Sequence, residues 1–322
     1  MHLDRRGFNK ALIAAASVGL LPTAALAQAI KGLKIVAPAG PGGGYDQLAR
    51  ATQDALTVEK LAAGVQVVNV PGAGGTIGLA QVINYRESEP EIMVAGLGLV
   101  GATFVNKSPV SLAQVKPLAR LQGEYQPLFV GADSPIKTLA DLIAKFKQDP
   151  GSVSWGGFAL GSPDHILSGL VVKGAGGDVK KMNYIAVGTG GEMLPLVMGG
   201  KVTVATGGLN EVAGQFKAGR LRPLGISSPE RIPGVDIPTF REQGVDATLV
   251  NWRGLLAAPN TKPEDMQALD AAIGKMVQSA AWKKILTDRE WIDLYLPADR
   301  FAPFLKEEAT RITALMKELG LA

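Results

Sequence analysis

Apolar and polar positions along this chain fall into one repeated plan. A short run of β-branched and apolar residues is followed by a glycine-rich stretch, and that stretch by residues with helical spacing. The first copy reads Ile35-Val36-Ala37, then Pro38-Ala39-Gly40-Pro41-Gly42-Gly43-Gly44, then a helical run from Tyr45 to about Leu56. The second reads 65–70, then Pro71-Gly72-Ala73-Gly74-Gly75, then a helix from Thr76. Residues 91–95 lead into a third glycine segment, 96–101. Segments 118–121 and 128–130 read as further strands. Thr138 reads as the N-cap of an amphipathic helix with Leu139, Leu142, Ile143 and Phe146 on one face, ended by Asp149-Pro150-Gly151.

Three more units follow. Residues 153–155 lead to a glycine turn at 156–161, where Ser162-Pro163 is an N-cap followed by proline at the first helical position. Residues 183–187 lead to Gly188-Thr189-Gly190-Gly191-Glu192, where Thr189 and Glu192 have capping-box spacing. Residues 202–206 lead to Gly207-Gly208-Leu209-Asn210-Glu211. A strand at 221–226 and an apolar strand at 249–259 carrying Arg253 come next. Thr261-Lys262-Pro263-Glu264 reads as another capping box, and two helical segments, about 266–279 and 303–319, close the chain with Gly320 as the stop. Strands alternating with helices predict an α/β fold with largely parallel sheets, in which loops at the strands' carboxyl ends line the ligand crevice. Here those loops are glycine-rich in both halves, so two α/β lobes would face each other across a cleft.

Such loops let a backbone approach a ligand, and the helix behind each one offers unpaired N–H groups and a positive dipole end. Two side by side make a small carboxylate or phosphate site; the bland alternative is tight turns only. Dinucleotide spacing fails from Gly40 and from Gly42. It occurs by chance at Gly96, Gly98 and Gly101, where Ser108-Pro109 leaves little room for the long helix. No P-loop is present.

Composition narrows the picture further. Asp4-Arg5-Arg6-Gly7-Phe8-Asn9-Lys10, a 17-residue apolar run and Ala25-Leu26-Ala27 predict a twin-arginine export signal over 1–27, cleaved before Gln28. Removing it lowers the net charge from +4 to +2, so no nucleic-acid or membrane-surface footprint is expected. The chain has no cysteine, which excludes disulfides and thiolate metal sites. Its two histidines are His2, within the signal, and His165, so a two-histidine zinc motif is excluded. His165 near a helix start reads as a hydrogen-bonding or packing residue, or as a lone general base.

These residues resemble the extracytoplasmic solute receptors of tripartite tricarboxylate transporters, the Bordetella uptake gene family. The resemblance is carried by residues 37–46 and 69–78, by Gly161-Ser162-Pro163-Asp164-His165, Gly190-Gly191-Glu192, Gly199-Gly200-Lys201-Val202 and Asn251-Trp252-Arg253-Gly254. Ser108-Pro109-Val110-Ser111-Leu112 and the Asn251 stretch are most similar to the tricarboxylate-binding branch, with Tyr45 where that branch commonly has tryptophan. The resemblance implies a type II periplasmic binding protein: lobe 1 from 28–127 plus 250–322, lobe 2 from 128–249, and two crossover strands. It implies a periplasmic monomer without cofactor or metal, and without catalysis. Such a protein captures a small citrate-like di- or tricarboxylate and delivers it to the membrane subunits of the transporter. It implies that the first two glycine loops hold a ligand carboxylate through backbone amides and bridging waters. The residues it points to are Gly43, Gly44 and Tyr45 in the first loop and Gly74, Gly75 and Thr76 in the second. From the second lobe they are Ser162, His165, Thr189, Gly190 and Gly191. Arg253 is expected either to grip a carboxylate with its fork or to form a structural ion pair at the hinge. Asp46 is expected to hydrogen-bond within the early helix, since it would repel an anion. Two other readings stay open: an exported enzyme acting on organic acids with His165 as base, and a ligand sensor docking on a signalling partner.

Overall fold

The computed structural model describes residues 30–86, 89–187 and 190–321; the expected export signal and Thr189 lie outside them. The first unit runs β1 (Ile30–Lys31), β2 (Lys34–Ala37), α1 (Gly44–Val58), β3 (Ala62–Ala63), β4 (Gln66–Asn69), α2 (Thr76–Ile83), β5 (Glu91–Gly96), α3 (Leu97–Val105) and β6 (Lys116–Glu124). The second runs β7 (Pro127–Gly131), α4 (Leu139–Gln148), β8 (Ser154–Gly157), α5 (Pro163–Gly174), β9 (Asn183–Ala186), α6 (Gly190–Met198), β10 (Val204–Thr206), α7 (Leu209–Lys217) and β11 (Leu221–Ile226). The chain then returns through β12 (Asn251–Ala257), α8 (Pro263–Gln278), α9 (Ala280–Asp288), β13 (Ile292–Pro297) and α10 (Ala298–Leu319).

Two large sheets result, ordered β13-β6-β12-β5-β2-β4 and β11-β7-β10-β8-β9, beside a parallel pair of β1 and β3. Only Tyr125 and Gln126 separate β6 in the first sheet from β7 in the second, and β12 brings the chain back. The expectation of largely parallel sheets is corrected. β2 is parallel to β4 and β5, and β8 to β9 and β10, but β12 runs against β5 and β6, and β7 against β10 and β11. The reason is the crossing itself. Strands followed by glycine loops end between the sheets, whereas β7 and β12 receive the chain from the opposite sheet and begin there.

The local signals decide most boundaries. Thr138 accepts the Asp141 N–H and Asp141 returns to the Thr138 N–H, a reciprocal cap that starts α4. Ser162 accepts the His165 N–H at 3.3 Å, and Pro163 opens α5. The capping box expected at Thr261 does not form: Lys262 is the N-cap, because Pro263 sits at the first helical position and moves the start past Thr261. The two closing helices are separated by α9 and β13, which the helical periodicity did not separate. Ser279 ends α8 and also caps α9, accepting the Trp282 N–H at 3.1 Å.

One hydrophobic cluster runs through both sheets, from Val36 and Met93 past Trp252 to Phe146 and Trp155, and along α10 at Phe301, Ile312 and Met316. Trp252 meets Phe301 and Phe304 edge-on at 5.8 and 5.4 Å and donates its indole N–H to Glu308. The far end of α10 reaches α5 through a Lys173–Glu318 ion pair. Among the described residues no helix is long and apolar enough to cross a membrane.

Candidate ligand cleft

The loops that end β2, β8 and β10 meet between the sheets and line a cavity of about 100 Å³. The first sheet's unit contributes Ala39, Gly40, Gly43, Gly44 and Tyr45, with Gly98 from α3 and Asn251 and Arg253 from β12. The second contributes Gly157, Phe158, Asp164, Met193, Thr206, Gly207, Gly208 and Glu211, while Gln126 lines it from the crossing segment. A hollow beside it shares Met193, Thr206, Gly207 and Glu211 and reaches Pro41, Gly42, Gln47 and Gly191.

The first loop is held from below. Asp46, nearly fully buried, accepts the Gly42 N–H at 2.8 Å, the Arg50 Nε–H at 3.0 Å and the Asn69 side-chain N–H at 2.9 Å. Burial works against its charge, but these donors together hold its pKa below the ordinary value. Asp46 therefore fastens the loop and is not among the cavity's lining residues. Gly42 adopts φ +82°, a conformation L side chains avoid, and Gly43 is the N-cap of α1. The amino end of α1 thus opens on the cavity with its orphan amides. Tyr45 is buried beside it; burial pushes its phenol up to about 12, offset in part by Arg253 and a hydrogen bond with the Leu99 backbone.

Arg253 is 7% exposed and lies across Gly44, so that a Cβ there would collide with the guanidinium. Its Nη2 is 2.6 Å from Glu124 Oε1, an atom that also accepts the Asn251 amide at 3.1 Å. Burial disfavours the arginine charge, but Glu124 and Glu211 beside it keep its pKa above the ordinary value. Arg253 forms the buried ion pair expected at the crossover, and it also lines the cavity.

The other expected residues divide. Gly74, Gly75 and Thr76 are not among the cavity's lining residues; their turn packs against Ala102, Leu99 and Pro38, and Thr76 bonds the Ala73 carbonyl at 3.0 Å. Ser162 and His165 stand one layer back. His165 Nδ1 accepts the Gly161 N–H at 3.1 Å, its ring lies 4.2 Å from that of Tyr184, and burial drives its pKa down to about 4. Its surroundings favour the neutral imidazole, and it is not among the cavity's lining residues. Gly190 begins α6, and Gly191 borders the adjoining hollow.

The sequence reading passed over Asp164, Gln126, Thr206 and Glu211, which do line the cavity. The charge argument that sets Asp46 apart from an anion weighs against any fully ionised acid here. Asp164 is in fact tied down, accepting the Phe158 N–H at 2.7 Å and the Gln126 amide; burial pushes its carboxyl up to about 6. The Gly207-Gly208 turn before Glu211 was the available signal.

Two α/β units joined by two strand crossings, with a polar cleft between their loops, define a type II periplasmic binding protein. The fold is that of the periplasmic binding protein BugD: TM-score 0.80 at 18% identity, covering 90% of this chain and 98% of that one. It is also that of MatC from Rhodopseudomonas palustris, solved with bound malate (TM-score 0.79, 21% identity, 89% and 99% covered), and of an R. palustris protein solved with adipate (0.81, 21%, 90% and 97%). A Cupriavidus necator protein encoded in the gbd 5′ region is 28% identical over 99% of each chain. The sequence profile of the tripartite tricarboxylate transporter family receptors matches residues 48–321, and the chain belongs to that family. It is a solute receptor and not an enzyme.

Proposed function

We propose that this receptor captures a small di- or tricarboxylate, citrate-like in size and charge, in the cleft between its lobes and in the periplasm. It acts as a single copy and passes the acid to the membrane subunits of a tripartite tricarboxylate transporter. The observation that carries this reading is the pairing of the α1 amino end, at Gly43, Gly44 and Tyr45, with the buried Arg253 guanidinium on one cavity wall. Backbone amides and a guanidinium fork are two donor sets suited to carboxylate oxygens. Malate and adipate in proteins of the same fold support an acid of this size. The lobes are taken as 28–127 with 250–322, and 128–249, closing over the ligand as hinged bodies.

A thermal-shift panel of citrate, malate, succinate and adipate tests the reading. At a hundredfold excess over Kd a specific acid adds about 2.7 kcal/mol of stability, which raises the melting temperature clearly. No shift with any carboxylate, with a shift from a neutral or cationic solute instead, would overturn it.

A further inference from the structure

The two walls of the cavity differ in hydrogen-bonding character. The first wall offers donors, the α1 amides and Arg253. Across from it, Gln126 in the crossing segment and Thr206 at the end of β10 hold acceptors left without partners. Gln126 has its amide N–H on Asp164, while its Oε1 is buried and unpartnered. Thr206 Oγ1 is also buried and unpartnered. Behind the lining, Glu124 on β6 of the first sheet gives one oxygen to Arg253 and Asn251, and its Oε2 is unpartnered, next to Gly208. Glu211, on α7, lines both the cavity and the adjoining hollow.

Charge sharpens the contrast. The charged groups facing Glu211 are Glu124 from β6, Asp164 from α5 and Arg253 from β12. Arg253 is the one cation among the described lining residues, and Glu124 already engages it. A ligand with a carboxylate at each end would bring one end to the amides and the other against Glu211 and the unpartnered acceptors. Two ionised carboxylates in contact repel, whereas two carboxyl groups sharing one hydrogen attract.

Building on the carboxylate reading above, we propose that the cleft selects its acid in a partly protonated form. One carboxylate lies at the first loop, and a second carboxyl shares a hydrogen with Glu211. The ligand class is then a hydrogen-carboxylate, such as a dicarboxylic acid lacking one of its ionisations. At most one proton enters from solvent with each ligand anion, less whatever share Glu211 already carries, and no covalent bond to carbon changes. The Glu211 carboxyl is suited to this: burial and then Glu124 push it up to about 7, with Arg253 drawing it the other way and Asp164 adding to the rise. The pair of carboxyls titrates as a unit.

The test is calorimetric titration with malate, adipate and citrate at pH 7.5, in two buffers of different ionisation enthalpy. The expected result is uptake of about one half to one proton per ligand bound, with affinity falling as pH rises from 7 to 8.5, by at most about tenfold per unit. Glu211→Gln, which keeps shape and supplies a donor, should abolish that uptake and bind more tightly than wild type at pH 8.5. Zero uptake by the wild type would overturn the proposal, and this result needs no variant. Loss of binding in a folded Glu211→Gln protein at every pH would also overturn it, by showing an ionised Glu211 facing a cationic ligand group. Binding without proton uptake removes this inference alone; no binding of any acid removes the carboxylate reading with it.

Discussion

Arg253 shows how one residue can fasten the fold and line the cleft together. Its sequence context, an arginine in the apolar strand β12, pointed equally to a ligand contact and to an ion pair. The choice could not be made without Glu124, 129 positions away in sequence on the neighbouring strand β6. Removing one member of a buried pair strands the other charge, at a cost of about 3–5 kcal/mol. Arg253→Met should therefore lower unfolding stability by roughly that amount in urea titrations and abolish carboxylate binding. Adding Glu124→Gln should restore much of the stability but none of the binding. A stable single variant would show that the pair is not the hinge fastening described here. His165 makes a second residue-scale prediction. Held neutral with its pKa near 4, against an ordinary unfolded value near 6.5, it favours folding above that range. Its contribution is present at neutral pH and is lost as pH falls from 6.5 towards 4, because the unfolded chain takes up the proton first. Imidazole NMR signals from His165 should show no titration between pH 5.5 and 7.5; a midpoint near 6.5 would contradict its burial.

At the scale of elements, the strand–glycine–helix plan was largely legible, because each unit carries its own local signals: a β-branched run, a turn only glycine adopts, a cap. The first loop was legible as a lining of the cleft for the same reason. What the chain did not reveal depends on partners distant in sequence. The antiparallel strands follow from the crossings, and β13 from packing on β6. The second glycine loop reads like the first yet serves to pack α3. The glycines of α3 itself, which mimic a dinucleotide spacing, have a contact role. A Cβ on Gly98 would lie 3.2 Å from Pro163, and one on Gly101 would overlap the Gly161 carbonyl, so α3 docks backbone to backbone against the turn before α5. Gly101→Val should thus leave each sheet intact but hold the lobes apart. Circular dichroism should be unchanged and ligand affinity should fall by more than tenfold. Wild-type affinity in that variant would show that closure does not depend on this contact.

Across the whole molecule, one hydrophobic cluster and α10 tie the two sheets together at the back, while small polar contacts close the front. Asn210 of α7 donates to Gln47 of α1 at 2.9 Å across the cleft, and Gln126 spans the crossing to Asp164. A strong apolar hinge with a weak polar latch suits a body that opens and shuts on a small ligand. The acidic side chains of the cleft escaped the sequence reading because their environment decides their charge. Burial raises the Asp164 and Glu211 carboxyls to about 6 and about 7, which eases their place beside an anion. The central claim is that the acid is held at the amino end of α1 beneath Arg253. Calorimetric titration of wild type and Gly44→Val with citrate, malate and adipate tests it most directly, with circular dichroism of both. The account predicts one-to-one binding of at least one acid by the wild type. It predicts none by the folded variant, whose side chain would strike Arg253 and cover the α1 amides. A folded Gly44→Val protein that binds the same acid at wild-type affinity would contradict it.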